Sequence, residues 1–292
     1  MNQANEQRTI LVTGVTGQQG GAVARHLLNR GYRVRGLTRN PDSDKARAMK
    51  GLGVEMVAGD MADRASLDAA LAGAYGVFSV QNFWEAGADG EIHQGRTAAD
   101  AAFASDIKHI VYSSVGSAHR ETGIPHFDSK WIIERHIRDL DLPATILRPV
   151  FFMDNWSQPA MRQMIDSGTV TLPLSPDTRV QQIAVDDIGA FAAMAFDDPR
   201  SWQGRELDIA GDEPTMQEAV DILSRVMARK VAYQQIGFDD FKQAMGPEYE
   251  VMFRWFEDVG YEARIASLRD LHPGLKTLEQ FLRDTGWERT AA

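Results

Sequence analysis

Along the first half of the chain, short apolar runs alternate with segments whose apolar residues recur at helical spacing. Residues 9–12 form a short apolar run, the pattern of a strand buried on both faces. Residues 22–30 carry Val23, Leu27 and Leu28 at helical spacing. Gly31 then stands where a left-handed cap favours glycine. Residues 32–37 alternate and predict a second strand. Pro41 suits the first turn of a helix running to about residue 50. Further strands are predicted at 54–58, 76–80, 109–112 and 144–147, with helices at 66–71, 92–104 and 126–138. Small residues dominate 92–104, which predicts close packing on a sheet. This alternation is the signature of an α/β, doubly wound parallel sheet with right-handed crossovers.

After Arg148 and Pro149 the regularity fails. Residues 151–156 are aromatic and loop-like, and 161–167 read as a helix. Residues 182–196 again read as strand, cap and helix, and 206–209 as a strand. Thr215 followed by Glu218 is a capping-box pattern opening a helix to residue 229. Residues 238–287 are mostly helical and rich in aromatics. The expected organisation is a first domain over 1–150, to which 178–198 returns. A smaller, mostly helical lobe over 151–177 and 199–292 is expected to cover the carboxyl ends of the strands.

The turn after the first strand brings chemistry into this frame. Gly14, Gly17 and Gly20 lie three apart between that strand and the first helix. Strand, glycine-rich turn and helix together form a dinucleotide pyrophosphate site of Rossmann type. Gly14 permits the tight turn, Gly17 lets backbone approach phosphate, and Gly20 lets the helix pack close. The helix N-terminus adds free N–H donors and a partial positive charge.

Composition narrows the partners. The 292 residues carry a net charge of −10 with no basic tract, which argues against direct binding of nucleic acid or an anionic membrane. There is no cysteine, so thiol chemistry is excluded. The polar start, and the lack of any apolar run of membrane-spanning length, predict a cytoplasmic chain.

Candidate residues cluster at strand ends. The end of the second strand reads Thr38-Arg39-Asn40, without the acid that commonly binds an NAD ribose. Arg39 can pair with a 2′-phosphate through its planar fork, which points to NADP; a solvated surface arginine is the bland alternative. Asp60 and Met61 follow the third strand and suit an adenine, or Asp60 caps the next helix. Gln81, Asn82 and Phe83 follow the fourth strand and suit a nicotinamide-ribose wall, or Phe83 and Trp84 pack a lobe. His126 and Lys130 share one helix face, near Ser113 and Ser114 at the end of the fifth strand. Ser114, His126 and Lys130 can move a proton while a cofactor moves hydride; otherwise they cap, pack and solvate. Histidine spacing suggests no metal site.

These segments resemble the NmrA-like family of atypical short-chain dehydrogenases, and within it the NADPH-binding redox sensors of animal cells. The motifs that carry the resemblance are residues 12–21, 37–41, 82–85 and 126–130. It runs from about residue 8 to 157 and more weakly to the end. It implies NADP(H) contacts at Gly14, Thr16, Gly17, Gln18 and Gln19. It also implies contacts at Arg39, Asn40, Gln81, Asn82, Phe83, Lys130, Phe152 and Asn155, with Lys130 on the nicotinamide ribose. Typical short-chain dehydrogenases place a tyrosine four residues before this lysine; here it is His126. The family's non-catalytic sensors share that histidine, while its plant ether and isoflavone reductases also lack the tyrosine and are thought to use the lysine. His93 stands where the animal sensor has a lysine.

Two functions follow as expectations. One is an NADP(H)-dependent redox-sensing regulator of a protein partner. The other is an NADPH-dependent reductase of a small aromatic carbonyl, quinone or ether. In that case Lys130 is the general acid or base, its pKa lowered by an apolar or cationic surround, and Phe83, Trp84, Phe151, Phe152, Trp156 and Trp255 line the pocket. A homodimer is compatible with either.

Overall fold

The computed structural model describes residues 5–288. Six strands of the first half pair in parallel: β1 (Thr9–Val12), β2 (Arg33–Thr38), β3 (Glu55–Ala58), β4 (Gly76–Ser79), β5 (His109–Ser113) and β6 (Ala144–Pro149). The remaining strands are β7 (Phe151–Phe152), β8 (Thr169–Leu172), β9 (Gln182–Ile183), β10 (Glu206–Ile209) and β11 (Ala232–Gln235). The main sheet has the order β10-β6-β5-β4-β1-β2-β3. The chain order reverses beside β1, where β2 lies on one side and β4 on the other. That reversal opens a crevice at the carboxyl ends, the usual ligand position of such sheets.

Ile10, Leu11 and Val12 on β1 are fully buried, as a central strand covered on both faces requires. The covering helices of this half are α1 (Gln18–Asn29), α2 (Asp44–Gly51), α3 (Arg64–Leu71), α4 (Phe83–Ala104) and α5 (Pro125–Asp139). Ala98, Ala99 and Ala102 of α4 pack into one cluster with Leu11, Ile110 and Tyr112 of the sheet and Ile133 of α5. At Gly95 a side chain would meet Ile133 at 2.4 Å, so α4 and α5 approach where glycine leaves room.

Several helix starts differ from the sequence reading; α1 begins four residues early, at Gln18, and three others have a clear local reason. The α2 helix begins at Asp44, not at Pro41, because the Ser43 hydroxyl accepts from the Ala46 amide and caps it. Asp63, not Asp60, caps α3, its carboxylate accepting from Ala65 and Ser66. The α4 helix begins nine residues earlier than 92, because Asn82 caps a turn over residues 83–86; Gly87, at φ 69° and ψ 178°, breaks it from the rest. Thr215 and Glu218 form the expected capping box.

The chain divides into two compact units, each with its own core. The first comprises residues up to 121, 125–148 and 188–207; the second comprises 122–124, 149–187 and 208 onward. The returning stretch carries most of α7 (Val185–Asp197) and all of α8 (Pro199–Trp202). In the second unit β7 pairs with β9 and β8 with β11, both in parallel. Around them lie α6 (Pro159–Ser167), α9 (Met216–Val226), α10 (Phe238–Met245), α11 (Pro247–Asp258), α12 (Ile265–Leu271) and α13 (Leu278–Asp284). Its aromatic core joins Phe241, Phe253, Trp255, Phe256 and Tyr261 through ring contacts of 4.8 to 5.9 Å.

The closest backbone approach near the crevice is at Gly20. A Cβ there would lie 2.3 Å from the Gly14 carbonyl oxygen and 2.7 Å from that of Thr13. Gly20→Ala must therefore push α1 off the turn. We expect it to destabilise the ligand-free protein by about 1–3 kcal/mol, read as a lower urea midpoint. Gly51→Ala, where a Cβ meets nothing within 4 Å, should instead be neutral or stabilising by up to about 1 kcal/mol.

Candidate cofactor site

The crevice is built on the turn between β1 and α1. Gly14 sits at φ +59°, a left-handed conformation that favours glycine. Thr13 ties the turn to the end of β4: its hydroxyl accepts from the Val80 amide at 2.9 Å and donates to the Val80 carbonyl at 3.1 Å. The Gly17 amide donates back to the Gly14 carbonyl at 2.9 Å. Gly17 is the N-cap of α1 and provides no side-chain cap, and the first turn carries no acid. The first amides of α1 thus face the crevice end of the sheet without an intrahelical acceptor, as an anion site requires. Gly17 and Gln18 are exposed and Thr16 half-buried. Gln19 is held from behind, its Oε1 accepting from Ser113 Oγ at 2.6 Å.

The other strand ends meet this turn. At the end of β2, Arg39 is exposed and its Nη2 donates to Glu85 Oε2 at 2.7 Å. Asn40 shapes its own loop, its Oδ1 accepting from the Asp42 amide at 3.1 Å. Asp60 is likewise folded inward, its Oδ1 accepting from the Ala62 amide and its main chain bonded to Ser66. The Gln81 amide reaches Met61 Sδ at 3.8 Å and Ser79 Oγ at 2.9 Å. Its Oε1 is buried without a hydrogen-bond partner among the described residues. Asn82 caps the following turn through the Trp84 amide and donates to Glu85 Oε1 at 3.1 Å. The Phe83 and Trp84 rings lie 5.5 and 5.3 Å from the His126 imidazole.

The three residues considered for proton chemistry, His126 and Lys130 on α5 and Ser114 just after β5, are each engaged. Lys130 Nζ donates to Glu91 Oε1 at 2.6 Å, and Ser129 Oγ donates to the same carboxylate, which is fully buried. The surround of Lys130 is therefore anionic, not the apolar or cationic one expected, because α4 delivers a carboxylate where it packs on α5. Ser114 Oγ donates to Glu134 Oε1 at 2.5 Å, and Arg148 grips both oxygens of that carboxylate at 2.9 and 2.7 Å. Burial, with the nearby Lys130 charge, pushes the His126 imidazole down to about 3. Burial raises the Tyr112 phenol, and Glu91 and Glu134 add to it. Its oxygen has no hydrogen-bond partner among the described residues.

A model of the NmrA-like family matches residues 6–282. The chain belongs to the NmrA-like family. It is 34% identical over 246 residues to the (4-alkanoyl-5-oxo-2,5-dihydrofuran-3-yl)methyl phosphate reductase of Streptomyces griseus, covering 82% of this chain and 81% of that one. The NADP(H) complex of Citrobacter sp. triphenylmethane reductase superposes with a TM-score of 0.81 at 25% identity, covering 94% of this chain and 99% of that one. NmrA, a negative transcriptional regulator crystallised with NADP, shares the fold at a TM-score of 0.80 and 23% identity, covering 96% and 95%.

In this NmrA-like chain, the predicted residues at positions 14, 16 to 20, 39, 40, 60, 61, 81 to 83, 114, 126 and 130 all lie in the first unit. Phe152 and Asn155 lie in the second: Phe152 pairs with Ile183 in β7, and the Asn155 carbonyl accepts from Gln158. Of the aromatics expected to line one pocket, Phe151 and Trp156 line a narrow apolar cleft of the second unit with Phe253 and Phe256. Phe83 and Trp84 pack on His126, and Trp255 packs on Phe256 and Tyr261. Sequence reasoning missed Glu85, Glu91 and Glu134. Glu91 had a signal: with Gly95, Ala98 and Ala102 it continues the small-residue face of α4, where a lone carboxylate needs a buried partner. Among the described residues no helix is long and apolar enough to cross a membrane.

Two buried histidines make stability depend on pH. Folded His126 protonates near 3, and folded His109, lowered by burial, near 4. Both protonate near 6.5 when unfolded. Below pH 6.5 the unfolded chain binds the extra protons, so stability is full above that pH and falls as pH drops. Each histidine should remove about 2 kcal/mol between pH 6.5 and 5. His126→Phe should reduce that slope by about half, measured by chemical denaturation at several pH values.

Proposed function

We propose that this NmrA-like chain binds NADP(H) at the ends of β1, β2 and β4 and reduces small organic acceptors that need no acid placed by the protein. The observation that carries the reading is the commitment of all three proton-transfer candidates to internal partners. Lys130 is held by Glu91, Ser114 by Glu134, and His126 is packed neutral among aromatic rings.

The residues fit the cofactor. A turn with no room for a side chain at Gly20, leading into an uncapped helix start, suits a pyrophosphate. Arg39 suits the 2′-phosphate, with Asn40 beside it. Asp60 and Met61 fall to the adenine side. The buried, unpartnered Oε1 of Gln81 suits a donor on the nicotinamide riboside, with Asn82 and Phe83 beside it. Lys130 keeps two further N–H donors for the ribose hydroxyls while Glu91 fixes its position. In this reading the first unit holds the cofactor.

When bound, NADPH supplies hydride. A quinone, or an alkene conjugated to carbonyls, takes that hydride as a delocalised anion that water protonates. A simple ketone would yield a localised alkoxide and needs an acid at hand. The Streptomyces relative, a reductase of an acyl-oxo-dihydrofuran, supports acceptors of the first kind.

The same commitment of Lys130, Ser114 and His126 also favours a second reading, in which the dinucleotide regulates a protein partner and is not consumed. NADPH oxidation with a naphthoquinone, a conjugated enedione and acetophenone separates the cases. We expect turnover of the first two, little with acetophenone, and a loss of about tenfold or more in kcat/KM for Lys130→Met through lost orientation. Acetophenone reduced as fast as the quinone would contradict the reading. NADPH binding without any turnover would favour the regulator.

A further inference from the structure

Arg39, the residue assigned to the 2′-phosphate, already holds an anion. Its Nη2 donates to Glu85 Oε2 at 2.7 Å, and Asn82 Nδ2 steadies the other oxygen of that carboxylate at 3.1 Å. Both partners of the ion pair are largely exposed, at 69% and 58%. Glu85 sits on the single turn between the Asn82 cap and Gly87, and Gly87 borders open space, where a Cβ would meet nothing within 4 Å. This turn is thus covalently tied to α4 through one glycine in a left-handed conformation.

We propose that Glu85 sets cofactor preference by standing in for the 2′-phosphate on Arg39. The inference rests on the NADP(H) reading above. A dianionic 2′-phosphate on Arg39 must displace Glu85 or lie beside it, and either opposes binding. NADH carries a hydroxyl at that position and leaves the Arg39–Glu85 pair in place. Glu85 therefore weakens NADPH selectively and narrows the discrimination that Arg39 alone would impose. The pair also keeps Arg39 charge-compensated before cofactor arrives. Because the pair is exposed, its effect is modest.

The test is titration calorimetry of NADPH and NADH with the full chain, wild type and Glu85→Gln, at low ionic strength. Glutamine keeps the acceptor for Asn82 and removes only the charge. We expect Glu85→Gln to bind NADPH about two- to fivefold more tightly, with NADH unchanged. The gain should shrink as salt is raised. Unchanged or weaker NADPH binding by the variant, with wild type binding NADPH normally, would overturn the inference and leave the cofactor reading standing. Absence of NADPH binding by both proteins would overturn the cofactor reading and the inference with it.

Discussion

The contact between the backbone of α1 and the carbonyls of Thr13 and Gly14 is the constraint on which the crevice depends. With no side chain at Gly20, the helix start is pressed onto the end of β1, and its first amides are directed past Gly17 toward the strand ends. Thr13 then couples that turn to β4 through a reciprocal pair of hydrogen bonds with Val80. The turn is therefore tied to both β1 and β4, the strands on either side of the gap. Arg39 from β2 and Gln81 after β4 reach it from neighbouring strands, because the parallel registers bring those ends level.

Buried carboxylates govern the chemistry next to this crevice. A carboxylate out of water requires partners, and breaking such a pair is strongly unfavourable. Glu91 takes Ser129 and Lys130; Glu134 takes Ser114 and Arg148, with Arg138 and Glu206 extending the network. The fold thus uses as structural anchors the residue types that a short-chain dehydrogenase would use to relay a proton. His126, kept neutral by burial, completes the pattern. On the proposed reading, hydride acceptors that make no demand for a placed acid are the chemistry this leaves.

The parallel sheet, the glycine turn between β1 and α1 and the exposed arginine at the end of β2 were legible in the sequence because their signals are local: apolar runs of strand length, glycines three apart, an arginine where an acid is common. Helix starts were less legible, since a serine at position 43 and an aspartate at 63 competed successfully with Pro41 and Asp60 for the same role. The pairings of the buried carboxylates were not legible by local reasoning, although the place of Glu91 on the small-residue face of α4 was. Glu91 and Lys130 are 39 residues apart and meet only because α4 and α5 pack through Gly95 and Ile133. Glu85 and Arg39, 46 apart, meet because the Asn82 cap turns the chain back toward β2. The aromatic residues were recognised, but composition cannot divide Phe83 and Trp84, which pack on His126, from Phe151 and Trp156, which line a cleft of the second unit.

The central claim is that this crevice recognises a dinucleotide through its 2′-phosphate. The most direct measurement is the affinity of NADPH and NADH for wild type and Arg39→Ala under identical salt. We expect tighter binding of NADPH by the wild type and loss of that difference in the variant, with NADH affinity little changed. Equal affinities in the wild type, or a preference for NADPH that survives Arg39→Ala, would contradict it.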